Sequence, residues 1–293
     1  TPLVVISGQV SLEAVGTNAF QEAPAVELSK NVTKWSYQVK SIEELDKVIN
    51  KAFYIANKGK KGAVHIDIPK CISSSTIDLK SYNFIIENTK IQKNELKDSI
   101  KKANYMYKKS EIDTVISMIN SCEKPLIYLG QGCADSYKLL REFAIKSNIP
   151  VTSTIHGCGI FDESHDLSLQ WCGMHGNPAA NYAIQSAECI IALGSRFDDR
   201  TTGNVDKYAP NTFKAYYDEE KYGGIVHVNI EQSEIGKVVN SQNNFNIDCK
   251  DFLEEALKYA NHNPRTEWIN EINDLKNNYK FKYNVHESKL YME

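Results

Sequence analysis

Apolar positions along the chain fall into short continuous runs alternating with stretches of helical spacing. Leu3–Ile6 is an apolar run that reads as a buried strand, turned at Gly8-Gln9-Val10. A helical stretch is expected around Ala19–Ser29, followed by Thr33–Val39, whose alternation and aromatic Trp35 and Tyr37 predict an edge strand. Ser41-x-x-Glu44 matches a capping box ahead of an amphipathic helix with Leu45, Val48, Ile49, Ala52, Phe53 and Ala56 on one face. Gly59 and Gly62 end that helix, and Ala63–Ile68 is a strand closed by Pro69. Strands alternating with helices imply a mostly parallel α/β sheet.

From 73 to 110 the sequence turns polar, rich in Lys, Asn and Ser, and weakly periodic, which predicts a linker. A second α/β unit follows. Helix Ile112–Ile119 leads into a strand at 126–129. A helix at Tyr137–Lys146 and a strand beginning at Val151 come next. Asn177-Pro178 opens a helix through Ile184, and Cys189 begins another strand. Ile225–Ile230 is a strand followed by a short helix with Ile235 and Val238. Phe245–Ile247 is a last strand, and Phe252–Tyr259 the last helix of the unit. About five parallel strands with helices on both faces predict a doubly wound, Rossmann-like domain over 111–262, with 263–293 a helical segment. The first unit is expected to span 1–72. Its start within a strand, and an end without a cap, read as a piece of a longer protein.

Composition narrows the picture. The 293 residues are 42% apolar and 24% charged, ordinary for a packed α/β protein. A net charge of −3 gives no basic excess that would suggest nucleic acid, and no apolar run approaches the roughly 18 residues of a membrane span. Seven cysteines with no CxxC pair read as reduced thiols, and Cys122 and Cys189 as core fillers. Zinc spacing, GxSxG, P-loop and kinase signatures are absent, so no metal is assigned.

Candidate chemistry collects after the strands of the second unit, where open α/β sheets bind ligands. Gly130 and Gly132 flank Gln131 after one strand, and Thr154 leads into a Gly-rich loop after the next. Gly194 and Ser195 open a turn carrying Arg196, Asp198, Asp199 and Arg200. Glycines let backbone amides approach a pyrophosphate. Two arginines can grip phosphate or carboxylate with forked donors, but a local ion-pair turn is an equal reading of this segment. Asn229 stands where an acid often meets a ribose hydroxyl, and Asp248 reads equally as a nucleotide contact or a helix N-cap. His175, in Met174-His175-Gly176, reads as structural rather than as a general base.

The wording of these segments is familiar. GQV at 8–10, GTNAFQEA at 16–23, SKNVTKW at 29–35, HIDIPK at 65–70, LGQG at 129–132, CGMHGN at 172–177 and above all GSRFDDRTTGN at 194–204 resemble the acetolactate synthase (acetohydroxyacid synthase) family of thiamine-diphosphate enzymes. The resemblance implies three domains in the parent. Residues 1–72 would be the second half of a pyrimidine-binding domain and 111–262 a middle, FAD-binding domain. The segment 263–293 would lead to a pyrophosphate-binding domain. The family's catalytic glutamate and its GDG motif for Mg²⁺ and diphosphate have no counterpart here, so no catalytic residue is assigned and the chain alone is expected to be inactive.

By the same resemblance, Gly130, Gly132, Thr154, Ile155, Met174, His175, Gly194, Ser195, Arg196, Asp198, Arg200, Ile230 and Asp248 would line FAD, bound structurally rather than as a redox carrier. Phe20, Gln21, Lys70, Met174, Asp199 and Arg200 would border a substrate channel, with Arg200 holding the carboxylate of the second 2-ketoacid. The implied reaction decarboxylates pyruvate on thiamine diphosphate with Mg²⁺ and joins the product to pyruvate or 2-ketobutyrate, in branched-chain amino-acid synthesis. A homodimer or homotetramer with a regulatory small subunit is implied, with neither nucleic-acid nor membrane partners. The sequence departs from the family pattern at Lys60 (commonly Arg), Asn229 (an acid) and Ser11 (Pro). The insert at 213–224 resembles eukaryotic versions and points to a mitochondrion or plastid. Two alternatives are another thiamine enzyme, such as a pyruvate oxidase or oxalyl-CoA decarboxylase, and a non-catalytic nucleotide-binding module.

Overall fold

The computed structural model describes residues 1–77, 109–218 and 220–280. The chain divides into two compact units, residues 1–106 and 107–293. Most of the polar 73–110 segment lies outside the described residues, as does 281–293 of the expected C-terminal helical segment.

The first unit holds β1 (Leu3–Gln9), α1 (Ala25–Lys30), β2 (Trp35–Gln38), α2 (Leu45–Asn57), β3 (Ala63–Pro69) and α3 (Lys70–Ser73). Its strands are parallel in the order β1-β3-β2. The amphipathic face of α2, with Val48, Ala52 and Ala56, packs with Val64 and Ile66 of β3. β2 is the expected edge strand. Three expectations change. Leu3, Val5 and Ile6 form a strand but are exposed, because β1 pairs only with β3 among the described residues and an apolar run does not say what covers it. The helix expected from Ala19 forms only from Ala25, since Asn18 and Gln21 have positive φ and Pro24, at the N-cap, is not helical. The capping box is half made. The Glu44 carboxylate accepts from the Lys40 amide, as a capping acid would, but α2 starts at Leu45 and Ser41 supplies no cap.

The second unit is a six-stranded parallel sheet, not a five-stranded one. β4 (Pro125–Leu129), β5 (Val151–Ser153), β6 (Ser168–Trp171), β7 (Cys189–Leu193), β8 (Gly224–Val228) and β9 (Asn243–Phe245) run in the order β6-β5-β4-β7-β8-β9. Renumbered within the unit, that is 3-2-1-4-5-6, the dinucleotide-binding order. β6 escapes sequence reading because Ser-Leu-Gln-Trp contains no apolar run. β9 is shifted toward the N-terminus relative to Phe245–Ile247. Of the helix expected around Ile235 and Val238, only a 3₁₀ turn at Gln232–Glu234 forms.

Helices cover both faces. α4 (Lys109–Ser121), α5 (Tyr137–Ser147) and α9 (Cys249–Tyr259) pack on one face against Ile127, Leu129, Ile191 and Leu193. α6 (Pro178–Ser186), α8 (Pro210–Tyr217) and α10 (Thr266–Asn278) pack on the other against Leu126, Tyr128, Ile190 and Ala192, and a single turn, α7 (Asp199–Thr202), follows β7. Successive strand residues thus feed opposite cores, which is why β4 and β7 are apolar without alternation. Cys122 and Cys189 are buried in the core as expected.

Candidate functional site

Register builds the site. β4 and β7 pair Leu129 with Leu193, and β7 and β8 pair Leu193 with Val228, so three central strands end level. The strand order reverses between β4 and β7, and there the two following loops touch backbone to backbone. Gly130 N–H donates to Leu193 O at 2.9 Å and Gly132 N–H to Gly194 O at 3.1 Å. A Cβ on Gly130 would stand 2.3 Å from Gly194 O, and one on Gly194, at φ +62°, 2.6 Å from Gly132 Cα. Only glycine permits this approach at 130 and 194.

The Ser195–Arg200 turn is anchored from below. Phe197, buried at φ +55°, meets the rings of Tyr208 and His227 edge-on and that of Tyr128 at a tilt. A bulky residue at positive φ is strained, and such strain gathers at functional turns. His227 Nε2 and Asn229 Nδ2 donate to Ser195 O at 3.1 and 2.8 Å. Asn229 Oδ1 accepts from Glu231 N–H, so its amide is engaged inside the loops. The hydroxyl of Ser195 is buried with no partner among the described residues, as are those of Tyr128 and Tyr208. Burial lowers the His227 pKa, raises those of both tyrosines, and pushes the Cys172 thiol up to about 12. None of these groups is a charged catalyst; together they form a neutral floor.

Exposed apolar side chains stand on the loops that follow the strands. Ile155, after β5, is 67% exposed, Met174, after β6, 61%, and Ile230, after β8, 42%. Thr154 is buried, its amide on Leu129 O at 2.8 Å. Arg196, Asp199 and Arg200 are exposed. Arg200 Nε stands 3.9 Å from Asp199 Oδ2, with both side chains largely in solvent. An exposed pair at that distance contributes little and leaves the guanidinium able to turn. Asp198 accepts from the Thr201 hydroxyl at 3.3 Å. His175 is exposed, and its carbonyl accepts from Trp171 Nε1. Asp248 caps α9, taking Lys250 N–H at 2.8 Å.

In the first unit, Phe20 and Gln21 sit on a loop closed by Glu22, whose carboxylate accepts from Gly16 and Ala19 amides at 2.5 and 3.1 Å. Phe20 is 90% exposed, and Gln21 has φ +66°. Gln9, the last residue of β1, donates to Ala23 O and to buried Asp67, tying the loop to the sheet. Beside it lies a cleft of about 430 Å³ lined by Gln9, Glu22, Tyr37, Gln38, Lys40 and Asp67. Lys70 opens α3 and is exposed.

Sequence reading singled out the turn at 194–200 but not His227, Asp67 or Asn181, which hold the loops. Their signal is weak: a polar residue within a strand or helix does not show by itself which loop it holds. No cluster of three or more metal-ligating side chains occurs among the described residues.

Comparison with known proteins agrees with this geometry. Residues 112–256 match the family model of the thiamine pyrophosphate enzyme, central domain. The chain is 40% identical over 286 residues to the mitochondrial acetolactate synthase catalytic subunit of Saccharomyces cerevisiae, covering 96% of this chain and 41% of that protein. To the mitochondrial acetolactate synthase of Schizosaccharomyces pombe it is 38% identical over 289 residues, 97% of this chain and 42% of the relative. To the acetolactate synthase isozyme 1 large subunit of Escherichia coli it is 34% identical over 274 residues, 94% and 44%. The chain therefore spans about four tenths of the length of these relatives. Residues 112–256 are therefore a central domain of the thiamine pyrophosphate enzyme family, in a chain similar to acetolactate synthases over nearly its whole length.

Proposed function

We propose that this chain is the central part of an acetolactate synthase and that its second unit holds FAD as a structural cofactor. The observation that carries the reading is the glycine contact at the switch point, where Gly130, Gly132 and Gly194 let the loops after β4 and β7 meet backbone to backbone beyond level strand ends, at the crevice where this strand order binds nucleotides. The residues fit such a group. The unpartnered Ser195 hydroxyl offers a polar contact, and exposed Ile155, Met174 and Ile230 offer apolar cover for a flat ring system. Arg196 and Arg200 supply forked cationic donors above the floor.

The reaction of the whole protein would be the decarboxylation of one 2-ketoacid and condensation of the remainder with a second. Thiamine diphosphate with Mg²⁺, when bound, supplies the chemistry of carbon–carbon bond cleavage and formation. This chain's residues bind and orient. Arg200, weakly tied to Asp199, would take the carboxylate of the incoming ketoacid through two parallel hydrogen bonds. Met174 would wall the channel. Phe20, Gln21 and Lys70, on the loop and helix of the first unit, would be channel residues of the whole protein by the same resemblance. The protein would act as a homodimer or homotetramer with a regulatory small subunit, and the mitochondrial relatives support a mitochondrial location.

The test is a titration of FAD and NAD into the chain, followed by flavin fluorescence quenching and calorimetry, beside a colorimetric acetoin assay with pyruvate, thiamine diphosphate, Mg²⁺ and FAD. Saturable FAD binding in preference to NAD is expected, with acetolactate formation in the protein that contains the other two domains. Tight NAD binding without FAD binding would refute the cofactor assignment.

A further inference from the structure

Two loops of the second unit meet without a neighbouring strand pair to hold them together. One follows β6 and carries Met174, and the other follows β7 and carries Arg200. Met174 N–H donates to Arg200 O at 2.8 Å. Gly173, at φ +103°, presses so closely that a Cβ there would lie 2.5 Å from Arg200 O. What sets Gly173 in that place is Asn181, on the first turns of α6. Gly173 N–H donates to Asn181 Oδ1 at 2.8 Å, and Asn181 Nδ2 donates to Gly173 O at 2.9 Å. One carboxamide thus closes on both polar groups of a single residue. The helix that presents it is itself fixed, with Asn177 capping Ala179 N–H at 2.9 Å and Pro178 in the first turn. Asn181, Met174 and Arg200 line one pocket of about 340 Å³ together with Gly173 and Tyr208.

We propose that Asn181 is a positioning residue that sets the Met174 and Arg200 loops in register, so that the thioether and the guanidinium face one ligand. The inference rests on the functional reading given above and deepens it. Asn181 need not touch the ligand: it acts through Gly173, whose carbonyl and amide it holds, and through the Met174–Arg200 backbone bond. Asn181 stands in a helix whose buried positions are Ala179, Ala180, Ala183 and Ile184, and its carboxamide is spent on Gly173.

Asn181→Leu removes both hydrogen bonds at similar volume. Asn181→Asp keeps the acceptor for Gly173 N–H but opposes the Gly173 carbonyl, and it serves where the leucine variant does not fold. Amide hydrogen exchange on the chain is expected to speed up about tenfold at Gly173 and Met174 in Asn181→Leu, and less in Asn181→Asp. The amides of β4 and β7 should be unchanged, whereas a merely structural role would raise exchange across the sheet. FAD titrated into the same samples should half-saturate at about tenfold higher concentration in Asn181→Leu, with Asn181→Asp between it and wild type. Unchanged exchange at Gly173 and Met174 overturns the proposal, and so does faster exchange with unchanged FAD affinity. The local exchange pattern in Asn181→Leu together with a wild-type chain that binds no FAD overturns the underlying reading, and the proposal with it.

Discussion

Arg265 is the most consequential buried side chain outside the site. It lies 6% exposed at the opposite end of the sheet, at φ +41°, just ahead of α10. Its Nε donates to Cys122 O at 2.9 Å, Nη1 to Ser147 O at 2.5 Å and Nη2 to Ile119 O at 2.8 Å. Those carbonyls belong to the ends of α4 and α5, where helices leave acceptors unpaired and the backbone dipoles favour a cation. One guanidinium therefore joins three segments. Arg265→Met leaves the carbonyls buried and unpaired. Charge-assisted bonds are worth about 1.5–3 kcal/mol each, but relaxation and entering water return part, so a loss of about 3–5 kcal/mol is expected. At roughly 2–4 °C per kcal/mol for a unit of this size, the melting temperature should fall by about 6–20 °C. Arg265→Lys, with one ammonium for three diverging acceptors, should fall between. Calorimetry or circular dichroism reads the shift. FAD affinity measured well below the transition should be unchanged, because the carbonyls precede β4 and β5 while the site follows them. A melting temperature within about 2 °C of wild type would refute the reasoning.

Gly194→Ala forces a side chain to φ +62° and to within 2.6 Å of Gly132 Cα. It should destabilise by about 1–3 kcal/mol and abolish FAD binding, read by melting and flavin fluorescence. His227 is buried with a pKa below its ordinary 6.5. Above that pH both folded and unfolded states are neutral there and stability is flat. Below it the unfolded chain takes up a proton that the folded one resists, so stability falls as pH drops toward the folded pKa, and His227→Gln should remove that component from denaturant curves at pH 5 to 7. In the complete protein, Arg200→Lys should slow condensation by roughly 10- to 150-fold while decarboxylation suffers much less, since one charge-assisted bond is lost at the carboxylate. An unchanged ratio of the two products would remove the carboxylate role from Arg200.

Local sequence determined the identity of most elements. The unbroken apolar runs of β4 and β7 announce strands covered on both faces, and both are buried throughout. The spacing of Leu45 to Ala56 announces α2, and Asn177-Pro178 the start of α6. The motif at 194–204 marked the site by its wording. Tertiary structure decided the rest, because periodicity says which face of an element is apolar but not what lies against it. Leu3, Val5 and Ile6 are as apolar as Ile190 and Ile191, yet they are exposed, since exposure depends on the neighbours of β1 and not on β1. The order β6-β5-β4-β7-β8-β9 follows from crossovers between distant segments, and only that order brings Gly130 against Gly194. Asp248 reads in sequence as a nucleotide contact or a cap; the start of α9 shows that its carboxylate caps the helix. His227 reaches back 32 residues to Ser195, and Arg265 reaches 143 to Cys122. Contacts at such separations leave no local pattern, because the chain between them places the partners without encoding the bond.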